Sequence, residues 1–342
     1  MARWPLRPTA ATRIRVELVE LLFSGTTPMI IEDVNPEGEL DLFRAWFDQM
    51  LALQETVQRV QSPLYHYTDA SGLLGIVRNE EIWLSSMFHL NDPSELDYGL
   101  KIACDILEAE SNGSHALTQE ICSSFLSMHS GLKDFLGFYV SNLSKVSDDL
   151  GQWRAYGDNG RGFAIGLAPH LFHPVKLGIQ APNERTYVAE VAYGREKAEM
   201  LFREPIRRAV TAISRAKPNH FNSLAEAREF CSKWSTALTI PIFWYALQVK
   251  HKAYSSEQET RLIINAENAE LRPYIDLRTR GSNVVPFIRS PLAVRAPGSV
   301  IEIVIGPCAD PTAEDSLRTL FLSQGLSQDI RVWRSDIPYR AL

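Results

Sequence analysis

Residues 64–86 read LYHYTDASGLLGIVRNEEIWLSS, and the fold turns on how they are parsed. Leu64–Thr68 is aromatic and β-prone. Ala70–Asn79 carries its apolar residues at helical spacing, and Ile82–Ser86 is β-prone again. A strand, a helix and a second strand in so short a run form a compact unit that opens the main body of the chain.

Downstream, a long helix is predicted to begin at Pro93. Asp92 can cap it, Pro93 suits the first helical position, and Glu95 completes a capping box. Phe135–Ser141 and Gly162–Leu167 read as short strands, with Asp148–Gly157 as a helix between them. Arg185–Tyr193 alternates like a half-exposed strand. Residues 194–250 are dominantly helical, with interruptions expected near Lys217–Pro218 and at Pro241. Thr260–Ile264, Val284–Ile288, Val300–Ile305 and Arg331–Trp333 read as strands, and Ala313–Ser323 as a helix. Strands spread along the chain, several half-polar and with helices between them, predict an α+β fold. Its mixed, curved sheet or sheets would carry flanking helices, rather than forming a doubly wound array.

Upstream, residues 1–62 read as an N-terminal appendage and 63–342 as the body. Arg13–Phe23 fits both a strand and a helix, whereas Glu39–Val60 is an amphipathic helix. A polar break at Gln61–Pro63 suits a boundary. The appendage is a candidate partner-binding element, expected to be removable while the body still folds.

The 342 residues are 45% hydrophobic and 22% charged, an ordinary globular composition. A net charge of -6 argues against a protein that coats nucleic acid non-specifically. The four cysteines are widely spaced, with no CxxC pair, so neither zinc spacing nor a disulfide framework is present. No apolar run approaches the roughly 18–20 residues that span a bilayer. The arginine-rich N-terminus lacks the apolar stretch of a signal peptide. A cytoplasmic location without a membrane partner is expected.

Two segments could carry chemistry. On Leu64–Thr68, His66 shares a face with Thr68, although a lone histidine in a strand is more often structural. In Ser256–Ile264, SEQETRLII, alternation puts Glu257, Glu259 and Arg261 on one face and Thr260, Leu262 and Ile264 on the other. The charged face is either a solvated edge with a weak ion pair, or a carboxylate pair tuned by its neighbours. Arg261 is expected to pair with Glu257, Asp92 or Glu95. The run from His89 to Asp97 reads as a helix cap or an oxygen-rich ion site. Trp153 and Tyr156 share a helical face that serves a core more often than a ligand.

The segments LYHYT, SGLLGIV, IWLSS, NDPSE, QWRAYGDNGRGFAIGL, KHKAYSSEQETRLI, VIGP and IPYR occur in one order. Together, from Leu64 to Arg340, they resemble a widespread bacterial family defined only as a domain of unknown function. The chain departs from that family at Gln152, where methionine is common, and at Tyr139–Asn142, where a Cys-Phe-Ser run is common. More distantly the layout resembles the ADP-ribosyltransferase superfamily, with His66–Tyr67–Thr68 on a first strand and Glu257–Gln258–Glu259 on a late one. That resemblance implies NAD as substrate and no metal. ADP-ribose would be transferred to an unknown acceptor, protein or nucleic acid, or NAD simply cleaved, in the role of a toxin or a phage-defence effector. It implies Glu259 beneath the ribose, His66 on a ribose hydroxyl, and Glu257 orienting or deprotonating the acceptor. Tyr65, Thr68, Ser85, Ser141, Trp153, Tyr156 and Arg261 would meet the cofactor. The middle motif stays open between Ser85, Ser141 and Tyr139. Two other readings stand beside it. One is a non-catalytic nucleotide-binding or regulatory module. The other is a divalent-metal hydrolase or nuclease built on Asp92, Glu95, Asp97, Glu257 and Glu259.

Overall fold

The computed structural model describes residues 36–57, 60–90, 94–112, 119, 136–172, 179, 185–215 and 221–340. The reading of Arg13–Phe23 and the cap at Asp92–Pro93 lie outside them. The fold is α+β, built on a mixed sheet.

The opening unit forms as predicted: β1 (Leu64–Thr68), α2 (Ala70–Asn79) and β2 (Glu81–Ser86). Asp69 accepts a hydrogen bond from Gly72 N at 2.7 Å and so caps α2. Before this unit comes α1 (Pro36–Val57), and after it α3 (Ser94–Ser111), β3 (Leu136–Ser144), α4 (Leu150–Ala155), β4 (Phe163–Leu167), β5 (Arg185–Glu190) and β6 (Ala192–Tyr193). Then follow α5 (Arg195–Arg215), α6 (Leu224–Ala246), β7 (Val249–Lys250), β8 (Glu259–Glu267) and a single turn, α7 (Asn268–Leu271). The chain closes with β9 (Ile275–Arg280), β10 (Asn283–Pro291), β11 (Val300–Ile305), α8 (Ala313–Gln324) and β12 (Arg331–Arg334).

The break expected at Pro241 does not occur, because α6 runs through it. A helix-interior proline costs about 3 kcal/mol. Burial of Leu238, Ile242, Phe243 and Trp244 around it offsets that cost.

β3 organises the sheet. One of its edges pairs with β8 along the full length, from Leu136 opposite Glu267 to Ser144 opposite Glu259. The other edge is shared: β1 pairs only at Ser144, and β2 only at Tyr139 and Val140. The sheet therefore splits along this edge. β1 continues outward through β4, β11 and β12, and β2 through β10 and β9. Beside the split, residues 141–143 have no ladder partner on that side.

Both faces of the sheet are covered. Phe138, Val140 and Ile263 pack with α1, α3, α5 and α6 in one core, while Tyr139, Leu143, Leu262 and Ile264 pack with α2 and α8 in another. A strand buried on both faces explains the unbroken Leu262-Ile263-Ile264 run. α1, expected within an appendage, contributes Leu40, Phe43, Phe47 and Leu51 to the first core. No helix of the described residues is long and apolar enough to cross a membrane.

Candidate functional site

A cavity of about 900 Å³ opens at the split in the sheet. Its walls include His66 and Thr68 of β1, Ser85 of β2, Ser141 and Asn142 of β3, Tyr156, Glu257 and Glu259. The strands of His66 and Glu259 are separated only by β3, two ladder spacings or about 10 Å. The register adds a detail that alternation within one strand cannot give. Tyr65, Ser144 and Glu259 lie opposite one another and share a face, so His66 projects from the other. The two residues reach one cavity because it passes through the gap between β1 and β2.

His66 is held neutral. Burial pushes its pKa down from 6.5 to about 4, a hydrogen bond to the Asn142 backbone opposes the fall, and the Arg278 charge adds to it. Among the described residues, three buried polar atoms on the cavity wall find no partner: His66 Nδ1, Asn142 Oδ1 and Arg278 Nε. Each such atom costs about 1–3 kcal/mol unless a ligand or ordered water meets it.

Glu257 and Glu259 enter from a short 3-10 turn (Lys252–Glu257) and the first residue of β8. Glu257 thus lies off the strand where alternation put it. Between the two, Gln258 takes a left-handed conformation, φ 42°, uncommon for a residue other than glycine. The turn is tied down by Ser144 Oγ donating to Glu257 O at 2.7 Å and Lys145 N donating to Gln258 O at 3.0 Å. Both carboxylates consequently converge on one ammonium. Lys250 Nζ lies 2.6 Å from Glu257, 2.9 Å from Glu95 and 3.1 Å from Glu259. Arg261 donates to Glu259 at 2.6 Å, to Glu95 at 2.5 Å and to the Leu247 carbonyl at 2.7 Å.

This arrangement drives the two glutamates apart. Burial would raise Glu259, but Arg261 and Lys250 on its two oxygens outweigh it and hold the carboxyl below its usual range. Glu257 has one cation contact, through Oε2, and burial pushes it upward. Its other oxygen has no hydrogen bond among the described residues. Tyr156 beside them is raised to about 12, chiefly by burial.

Several expectations change. β8 lies between β3 and β5, so the charged face is interior rather than a solvated edge. Arg261 pairs with Glu95, one of its expected partners, and also with Glu259, but is fully buried behind the cavity wall and not on it. Trp153 is core: it is fully buried, packs edge-on against Tyr67 at 4.8 Å and donates to Asp148 at 2.6 Å. Of the three middle-motif candidates, Ser85 and Ser141 line the cavity and Tyr139 is packed in the second core. Tyr65 lines the cavity while donating to Glu302 at 2.7 Å. Glu95 joins Glu257 and Glu259, but around the ammonium of Lys250, and Asp97 is exposed on the other side. Among the described residues no group of three acids, histidines or cysteines is arranged to hold a metal ion.

Lys250, Arg278 and Arg280 were not singled out from sequence. Lys250 lies inside the KHKAYSSEQETRLI segment. The two arginines belong to β9, whose alternating IDLRTR followed by Gly281–Ser282 is a hairpin signal that contains no apolar run.

No curated protein and no solved structure matches the chain. Residues 152–262, from α4 to the start of β8 and so spanning Lys250, Glu257, Glu259 and Arg261, match the model of a protein family of unknown function, DUF2971.

Proposed function

We propose that the cavity is the active site of an ADP-ribosyltransferase-like enzyme that cleaves the nicotinamide–ribose bond of NAD. The observation that carries this is the split pair of glutamates on the wall of a cavity large enough for a dinucleotide. Two carboxylates whose surroundings push their proton affinities apart are the usual signature of an acid/base partner beside a group that keeps its charge. Glu259, fixed by Lys250 and Arg261, supplies the standing negative charge. With all three acids ionised, Glu95, Glu257 and Glu259 against Lys250 and Arg261 leave one net negative charge at this end. Such preorganised charge stabilises the positive charge that develops on the ribose as nicotinamide leaves. Glu257, with a free oxygen and a raised proton affinity, takes the proton of the attacking hydroxyl or water. His66, neutral and with Nδ1 unmet, hydrogen-bonds the ligand from the opposite face of the gap.

One observation favours a second reading, a nucleotide-binding module without turnover: both oxygens of Glu259 are already engaged by cations. Nicotinamide release from NAD by the purified protein, run beside NAD-dependent melting shifts, separates the two. Release supports the enzyme. A melting shift without release, with water and candidate protein or nucleic-acid acceptors present, supports the module. Neither effect removes both.

A further inference from the structure

We infer that Arg278 and Arg280 form a phosphoryl-binding site at the end of the cavity away from the glutamates. The inference deepens the reading above but stands on separate residues. Both arginines project from one face of β9 and line the cavity. The register through β10 and β2 places that face on the same side of the sheet as Glu259. Arg278 Nη2 donates to Ser85 Oγ at 2.7 Å, and its guanidinium lies 5.9 Å from the Trp83 ring centre. Its Nε is buried without a partner among the described residues. Arg280 Nη2 donates to the His89 carbonyl at 2.5 Å.

Among the described residues neither guanidinium has a carboxylate partner. The acid on the same strand face, Asp276, pairs instead with Arg289 at 2.5 Å. Two like charges two residues apart on a strand face repel, and burial adds to the cost for Arg278. A fold that keeps such a pair beside an open cavity gains when an anion arrives. Two guanidinium forks with a serine hydroxyl between strands supply more donors than a carboxylate accepts, and suit the several oxygens of a phosphate or diphosphate. The cavity is then polarised along its length. A ligand with a diphosphate at the arginine end and a centre of developing positive charge at the glutamate end complements both.

The test is melting of the purified full chain with pyrophosphate, ADP, inorganic phosphate or adenosine, followed by titration. Pyrophosphate and ADP are expected to raise the midpoint and adenosine to leave it unchanged. Arg278→Gln, which keeps a donor for Ser85, and the separate Arg280→Gln should each weaken binding about tenfold or more, the worth of a charged hydrogen bond. Inorganic phosphate behaving like pyrophosphate would support the site and identify a free phosphate as sufficient. Binding of ADP that adenosine reproduces and both variants retain would overturn it, as would no shift with any of the four. Arginine-dependent pyrophosphate binding without NAD cleavage would remove the proposed enzyme and leave this site standing. NAD cleavage untouched by both variants would do the reverse.

Discussion

His66 sits on the cavity wall, where burial favours its uncharged form. Unfolded, it titrates near 6.5, and folded near 4, so between those values the unfolded chain binds more protons and stability rises with pH. Its contribution is complete above pH 6.5 and is lost as pH falls through about 4. At about 1.4 kcal/mol per unit, the loss amounts to about 3 kcal/mol. Urea unfolding of wild type and His66→Gln across pH 4–7 should show a steeper fall for wild type. Parallel curves would mean that His66 is not buried neutral. Arg261 makes the opposite case, a charge that must stay charged. Arg261→Met would leave Glu95 and Glu259 buried with Lys250 alone, and should cost about 3–5 kcal/mol in the same measurement. A loss under 1 kcal/mol would indicate that water already reaches the cluster. Glu259 and Arg261 of this cluster were legible because alternation aligned them, and Glu95 because it falls at the start of a helix. Lys250 was not, since it arrives from a two-residue strand that follows a long helix.

At the scale of elements, the strand–helix–strand opening, the helices and most strands could be read from apolar spacing. What spacing could not reveal is pairing. That β8 lies inside the sheet, that β3 shares one edge between two strands, and that His66 and Glu259 face opposite ways all depend on long-range register. Arginines on β9 escaped notice for the same reason, because a half-polar strand gains meaning only from the cavity it borders. α1 shows the limit from the other direction. Its amphipathic pattern was plain, but its partners are Trp234, at 5.4 Å from Phe43, and Tyr245, at 6.3 Å from Phe47, nearly two hundred residues away. Phe47→Ala should therefore cost about 3–5 kcal/mol, as a large-to-small change in a core does. Deleting residues 1–60 should broaden or abolish the cooperative melt of the body. A sharp, unchanged transition in the truncated chain would support a separable appendage.

For the molecule as a whole, the split sheet brings three things to one cavity. They are a neutral histidine from one face, a pair of glutamates pushed apart in proton affinity, and, on the other, two arginines with no acid partner among the described residues. Local sequence announced the first two, and only the assembled fold unites them with the third. The central claim is that this cavity turns over NAD through Glu257 and Glu259. It is tested most directly by nicotinamide release from wild type, Glu257→Gln and Glu259→Gln, with NAD-dependent melting shifts as a binding control. Wild type should release nicotinamide, and Glu259→Gln should fall by about 10²–10³ in rate while keeping most of its melting shift. Glu257→Gln should lose the transfer step and the acid arm of the pH profile, where protonation of the base silences wild type. Wild-type release that survives both substitutions at full rate would contradict the account.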